Sequence, residues 1–406
     1  MGSAENNGET NPAWQPAEQT LMFCNNGFNN TPETSSFADD SLKTVFVISQ
    51  NAQADRNKLR GQDCMARAVH KEWACHVLCD GHGEDGYEIA EDVCRTLSSV
   101  ILQKIHDRAD ASQDIEDSLV EESFAECENK IKWADDEKPR TGKYSFIDSP
   151  DSEHHGKFGL VKEYKEGAEM VTIQFKDGTP DQFEADFPLT NLKGTKYSGG
   201  CTCVCFIYHI PSKRAKIASM GDSRILVIPK SASDLPEHGD EDHFFFEPIE
   251  TTDKKVVGAM TKTHTLKRHK ERKRIEDSNI HKFDIKENNG SLFLVNPDTT
   301  HHVEPTRGMG NVIMLNAGFL NKPEVSVSFT IQPETVIIGA SDGIFDNKIW
   351  KQQDFLQFVT QIRQDHGDNV EQMADTIYNE TLEKAYQVYH YKLIDDMSMF
   401  FSVAGG

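Results

Sequence analysis

The residues best placed for chemistry in this 406-residue chain are aspartates at the ends of apolar runs. In VLCDGHGEDG, residues 77–86, a short apolar run ends on Asp80, followed by Gly81, His82 and Gly83. In VIIGASDG, residues 336–343, a longer run ends on Asp342, and in IDDMSMFF Asp395 precedes a third. The runs ending on Asp80 and Asp342 read as strands buried on both faces. An ionised carboxylate at such a strand end is costly unless a cation or donors compensate it. For one such aspartate a polar turn explains as much; similar strand ends recurring in one chain favour a shared acidic centre. An oxygen-only site prefers magnesium or manganese to zinc. Two such ions, about 3.5–4 Å apart, can hold a hydroxide in line with a phosphoryl group. His82, flanked by glycines, has freedom to reach a reacting group, and an ordinary imidazole pKa of about 6.5 suits proton transfer near neutrality. The residues alone lead as far as metal-assisted hydrolysis of a phosphoester.

Two further Asp-Gly pairs read differently. Asp177-Gly178 closes an alternating run, Val171, Ile173 and Phe175, as a hairpin turn does. Asp85-Gly86 opens a helix, where an acidic residue suits the dipole.

The elements that must carry these residues are legible in outline. TVFVIS at 44–49 reads as a strand. From Glu84 the spacing of Ile89, Val93, Leu97, Ile101 and Ile105 predicts a helix, and Val120, Phe124, Cys127 and Ile131 predict a second. Strands follow at 201–209, 215–221 and 224–230, and a basic helix at TLKRHKERKRIE, 265–276. A strand at 336–343, helices near 351–363 and 369–387, and a strand at 397–403 complete the chain. Strands with helices grouped between them predict an α+β fold rather than alternating βαβ units. Residues 1–40, rich in Asn, Glu, Ser, Thr and Pro without periodicity, read as a disordered or loosely docked tail. Residues 134–196 read as a small β-rich insertion within a domain spanning 41–404.

Composition narrows the partners. The chain is 37 % hydrophobic and 27 % charged, with 66 carboxylates against 43 Lys plus Arg, a net charge of −23. That field argues against nucleic acid and anionic membranes as partners. No run approaches the roughly 18 apolar residues of a membrane span, and no secretory signal is visible, so an intracellular, cytoplasmic protein is expected. The nine cysteines show no paired zinc spacing. Cys201, Cys203 and Cys205 alternate on one strand face as small core hydrophobes, consistent with a reducing compartment.

Taken in order, the motifs resemble the metal-dependent Ser/Thr protein phosphatases of the PPM, or type 2C, family. The matching stretches are RGQDCM (60–65), VLCDGHGEDG (77–86), YSGGCTCVCF (197–206), ASMGDSRILV (218–227), KTHTLKRHKERKRI (262–275), TRGMGN (306–311), VIIGASDGIFD (336–346) and IDDMSMFFSV (394–403). The resemblance implies a central β-sandwich of two antiparallel sheets flanked by helices, with a binuclear Mg or Mn centre in a cleft at one end. It implies that Asp80 bridges both ions, with Asp63 and the carbonyl of Gly81 on the near side and Asp342 and Asp395 on the far side. Asp222 matches a weaker third-metal position, and Asp346 supports that region. A hydroxide held by the two ions would hydrolyse phosphoserine or phosphothreonine in protein substrates, with His82 as the acid for the departing oxygen.

The chain departs from the family pattern in places. Gln62-Asp63 stands where many members carry Glu-Asp. Lys58, with Arg60 nearby, occupies the position of a phosphate-holding Arg and lacks its bidentate fork. Asp396 replaces Asn, Asn311 replaces Asp, and a glycine pair after the basic helix is missing. The basic run 267–274 reads as the solvated face of a family helix or as a nuclear localisation signal. The insertion is expected to engage a protein partner or select substrates. An inactive pseudophosphatase acting as a binding scaffold is the alternative, and a hydrolase of small phosphoesters is a second.

Overall fold

A computed structural model describes residues 19–24, 33–38, 42–49, 61–108, 114–133, 138–175, 183–236, 245–251, 256–278, 283–288, 290–297, 301–390 and 394–405. Two antiparallel sheets face each other. The first runs in the order Gln19–Cys24, Asp63–His70, Trp73–His82, Cys203–His209, Arg214–Met220 and Glu324–Val325. The second runs Phe246–Glu250, Val257–Thr261, Arg224–Ile228, Val336–Ala340, Met397–Ala404, Leu42–Ser49 and Glu33–Ala38. Phe46, Leu78, Phe206 and Phe400 fill the space between them.

The period of two explains the layering. In Trp73–His82, Cys75, Val77 and Cys79 pack with the helices Gly86–Asp107 and Asp117–Lys132, while Ala74 and Leu78 face the other sheet. Helices Gln352–His366 and Val370–Tyr389 cover the second sheet's outer face through Val359, Ile377 and Phe401. The result is an α+β sandwich flanked by helices. The alternation continues past Leu78 to Asp80, and past Met65 to Asp63, so both carboxylates turn into the end of the inter-sheet space.

Two expectations are corrected. Residues 19–24 and 33–38, read as part of a tail, are strands at the edges of the two sheets. ETSSFA is mostly polar, as an edge strand that buries little can be, whereas QTLMFC packs Met22 and Phe23 against the core. Seven cysteines, Cys75, Cys79, Cys94, Cys127, Cys201, Cys203 and Cys205, are free and buried as expected, whereas Cys64 is disulfide-bonded.

Within 134–196, strands Tyr144–Ile147, Phe158–Glu163, Met170–Phe175, Phe183–Pro188 and Leu192–Gly194 form their own antiparallel sheet. Met170–Phe175 and Phe183–Pro188 pair as a hairpin would; Asp177 and Gly178 lie outside the described residues. The insertion is tied to the main body by a shared core. Tyr144 and Phe158 pack in one cluster with Leu294, Ile313 and Phe319. Leu294 belongs to a small sheet of Asp284–Asn288, Ser291–Val295 and His302–Val303 that roofs one end of the sandwich.

Candidate functional site

The sheets deliver their aspartates to the same end. Asp63 opens its strand and stands in register opposite Asp80. Asp222 sits in the turn after Arg214–Met220, Asp342 opens the short helix after Val336–Ala340, and Asp395 precedes Met397–Ala404. Asp80, Gly81, His82, Asp222, Asp342 and Asp395 line one cavity of about 870 Å³. Asp63 lies behind Asp80, only 3 % exposed. Lys58 and Arg60 lie outside the described residues.

The electrostatics are those of crowded, dehydrated carboxylates. Burial and the Asp396 carboxylate push the Asp63 pKa well above the usual range, although the hydroxyls of Ser398 and Ser341 favour its charged form. Those hydroxyls make no well-formed hydrogen bond to either Asp63 oxygen, and Asp342 Oδ1 has none among the described residues. Burial, then Asp63 and Asp342, raise Asp80; burial, then Asp395, raise Asp342. Asp222 is raised to about 6 by burial and Glu304. Such groups either hold protons or hold cations.

These residues fit a hard divalent cation. The donors are carboxylate oxygens, joined by the Gly81 carbonyl, and three buried oxygens lack a well-formed hydrogen bond. Among the described residues, no group of three or more His, Cys, Asp or Glu forms a ready-made metal cage.

Backbone packing fixes the approach. A Cβ on Gly81 would stand 2.0 Å from the Gly86 carbonyl oxygen, and the Gly81 N–H donates to Gln62 O at 3.1 Å. Only glycine fits there. The two departures near Asp63 have structural roles. The Gln62 side chain donates to Gly83 O at 2.7 Å, and its backbone N–H donates to the Asp396 carboxylate at 2.8 Å. Asn311 Nδ2 lies 2.7 Å from His82 Nε2. Tyr389 donates to Asp346, holding the end of the SDGIFD segment.

Other cleft residues escaped the sequence reading. Asp85, read as a helix-start residue, accepts from Lys143 Nζ at 2.6 and 2.8 Å and from the Ser198 N–H at 2.8 Å. It thereby joins the insertion to the cleft rim. Phe293, His301 and His302 line the cavity from the roof, and Tyr144 of the insertion lies 3.3 Å from His301 Nδ1. The Asn289-Gly290 pair before SLFLV was a usable hairpin signal for that roof.

The molecule is a helix-flanked antiparallel sandwich with carboxylates gathered at one end, and comparison with known proteins identifies its class. The sequence model of protein phosphatase 2C matches residues 111–388, so the chain belongs to the protein phosphatase 2C family. That stretch includes Asp222, Asn311 and Asp342; Asp63, Asp80, His82 and Asp395 fall outside it. No curated protein matches the chain. Among solved structures, the serine-threonine phosphatase 2C from Toxoplasma gondii shares the fold at 12 % identity and TM-score 0.56, over 95 % of this chain and 99 % of that one. A phosphatase from a pathogenic strain of Toxoplasma gondii is similar at 10 % identity and TM-score 0.49, over 95 % and 96 %.

Proposed function

We propose that the chain is a protein serine/threonine phosphatase that hydrolyses phosphoserine and phosphothreonine with Mg or Mn as cofactor. Asp63, Asp80, the Gly81 carbonyl, Asp342 and Asp395 would hold two ions, with Asp222 at a weaker third position. The observation that carries this reading is Asp63, a buried carboxylate facing Asp80 beside a cavity lined by three further aspartates. A bound pair of such ions supplies a hydrolytic nucleophile near neutral pH and neutralises charge on the phosphoryl oxygens.

The chain's own residues orient and exchange the proton. His82, on the cavity wall, donates to the departing seryl or threonyl oxygen. Lys58 and Arg60, outside the described residues, would contact the phosphate, Lys58 as a point charge and Arg60 with a planar fork. Protein substrates enter beneath the roof, and the insertion, tied to the rim by Lys143 and to the roof by Tyr144, selects among them or receives a protein partner. Nucleic acid and membranes are not partners. Among the described residues no helix is long and apolar enough to cross a membrane. The buried free cysteines suit a reducing compartment, and we place the protein inside the cell, in cytoplasm or nucleus. Phosphate release from a phosphothreonine peptide with and without Mn tests the proposal. Release that EDTA abolishes is expected; absence of turnover at saturating Mn points to a scaffold.

A further inference from the structure

We infer that Asn311 is the positioning residue of His82, reaching it across Gly200; this rests on the reading of His82 as the acid of a phosphatase. Three short segments lie side by side. Gly200 pairs with His82 on one flank and with Gly310 on the other. Asn311 follows Gly310 in the left-handed conformation, φ 50° and ψ 35°, which Asn tolerates better than most residues. From there its side chain, 2 % exposed, turns back over Gly200 to bring Nδ2 within 2.7 Å of His82 Nε2.

The path exists only because residue 200 has no side chain. A Cβ there would stand 2.2 Å from Asn311 Nδ2 and 2.5 Å from its Cγ. The loop is held on several sides. The Asn311 N–H donates to Gly199 O at 2.9 Å, the Gly310 N–H to the Glu128 carboxylate at 2.9 Å, and Asn321 Nδ2 to Gly310 O at 2.9 Å. A buried amide pinned in this way restrains the imidazole. It does so without charge. An Asp at 311 would add a further carboxylate beside Asp80, Asp342 and Asp395, whereas the Asn amide can accept through Oδ1 from the N–H of the protonated acid and donate through Nδ2 to the neutral ring.

The role is read from leaving-group dependence, because an alkyl oxygen needs a proton on departure and a nitrophenolate does not. The full chain with Mn is assayed on a phosphothreonine peptide and on p-nitrophenyl phosphate. Asn311→Ala should lower peptide turnover on the order of 30-fold, a part of the roughly 10²–10⁴-fold a general acid contributes in full, and the aryl ester only a few-fold. His82→Ala should show the same selective loss, and the double variant should be no slower than His82→Ala alone. Gly200→Ala, which displaces the amide while leaving Asn311 in place, should reproduce the substrate split. Equal losses on both substrates, or losses that multiply in the double variant, would overturn the inference. Absence of Mn-dependent turnover of either substrate by the unaltered protein would instead remove the phosphatase reading beneath it.

Discussion

Asp63 and Asp80 face each other across an antiparallel ladder, two carboxylates turned into the same end of the inter-sheet space. Like charges directly opposite destabilise a sheet, and here burial adds to the repulsion. Without a cation the pair is therefore a structural liability.

Replacing Asp63 should make the liability visible. Its folded-state pKa is raised above the unfolded value, so the folded chain keeps a proton that the unfolded chain has lost. Stability from this group is complete below about pH 4 and is lost as pH rises through the raised value. In EDTA at pH 7.5, Asp63→Asn should melt above the unaltered protein, by roughly 2 °C for each kcal/mol relieved. The gap should close towards pH 4, and the Mn-induced rise in Tm should shrink. A lower Tm at both pH values would mean that donors already compensate the carboxylate.

Glu128 offers a second test of buried charge. It is 7 % exposed, accepts from the Gly310 N–H, and burial raises its pKa to about 7. Its contribution is full below about pH 4.5 and lost as pH rises through 7. Glu128→Gln keeps an acceptor for Gly310 and removes the titration. Urea unfolding should show the variant gaining on the unaltered protein by about 3 kcal/mol between pH 4.5 and 8. A constant difference across that range would contradict the assignment.

The insertion should act on the cleft through two side chains. Lys143 holds Asp85 at the rim, and Tyr144 meets His301 in the roof. Lys143→Ala and Tyr144→Phe should raise KM for phosphopeptides several-fold with a smaller change in kcat. Because Tyr144 and Phe158 share a core with the roof, deleting 134–196 should also expose the roof to limited proteolysis. Unchanged peptide kinetics in both variants would leave the insertion without a role in the cleft.

The strand ends were legible because charge after a long apolar run is rare. That made Asp80 and Asp342 visible from sequence, and the period of two fixed the face of each strand. Register was not legible: nothing local says that Asp63 stands opposite Asp80. Asp85 was discounted because a helix start explains it, and its partner Lys143 lies 58 positions away. Asn311 stood out as a departure, yet its purpose depends on Gly200, which brings it beside His82. The edge strand at 33–38 is not legible because polar composition does not separate an edge strand from a tail, and the short apolar run LMFC at 21–24 is hidden by the polar stretches on either side of it.

The central claim is a metal-dependent phosphatase centred on Asp80. The most direct measurement is phosphate release from a phosphothreonine peptide by the purified full chain at saturating Mn, repeated after EDTA and with Asp80→Ala. The account predicts turnover that EDTA abolishes and Mn restores, and a loss on the order of a thousandfold or more in Asp80→Ala, since both ions are proposed to share that carboxylate. Turnover that survives EDTA or Asp80→Ala, or no turnover by a folded protein at saturating Mn, would contradict it.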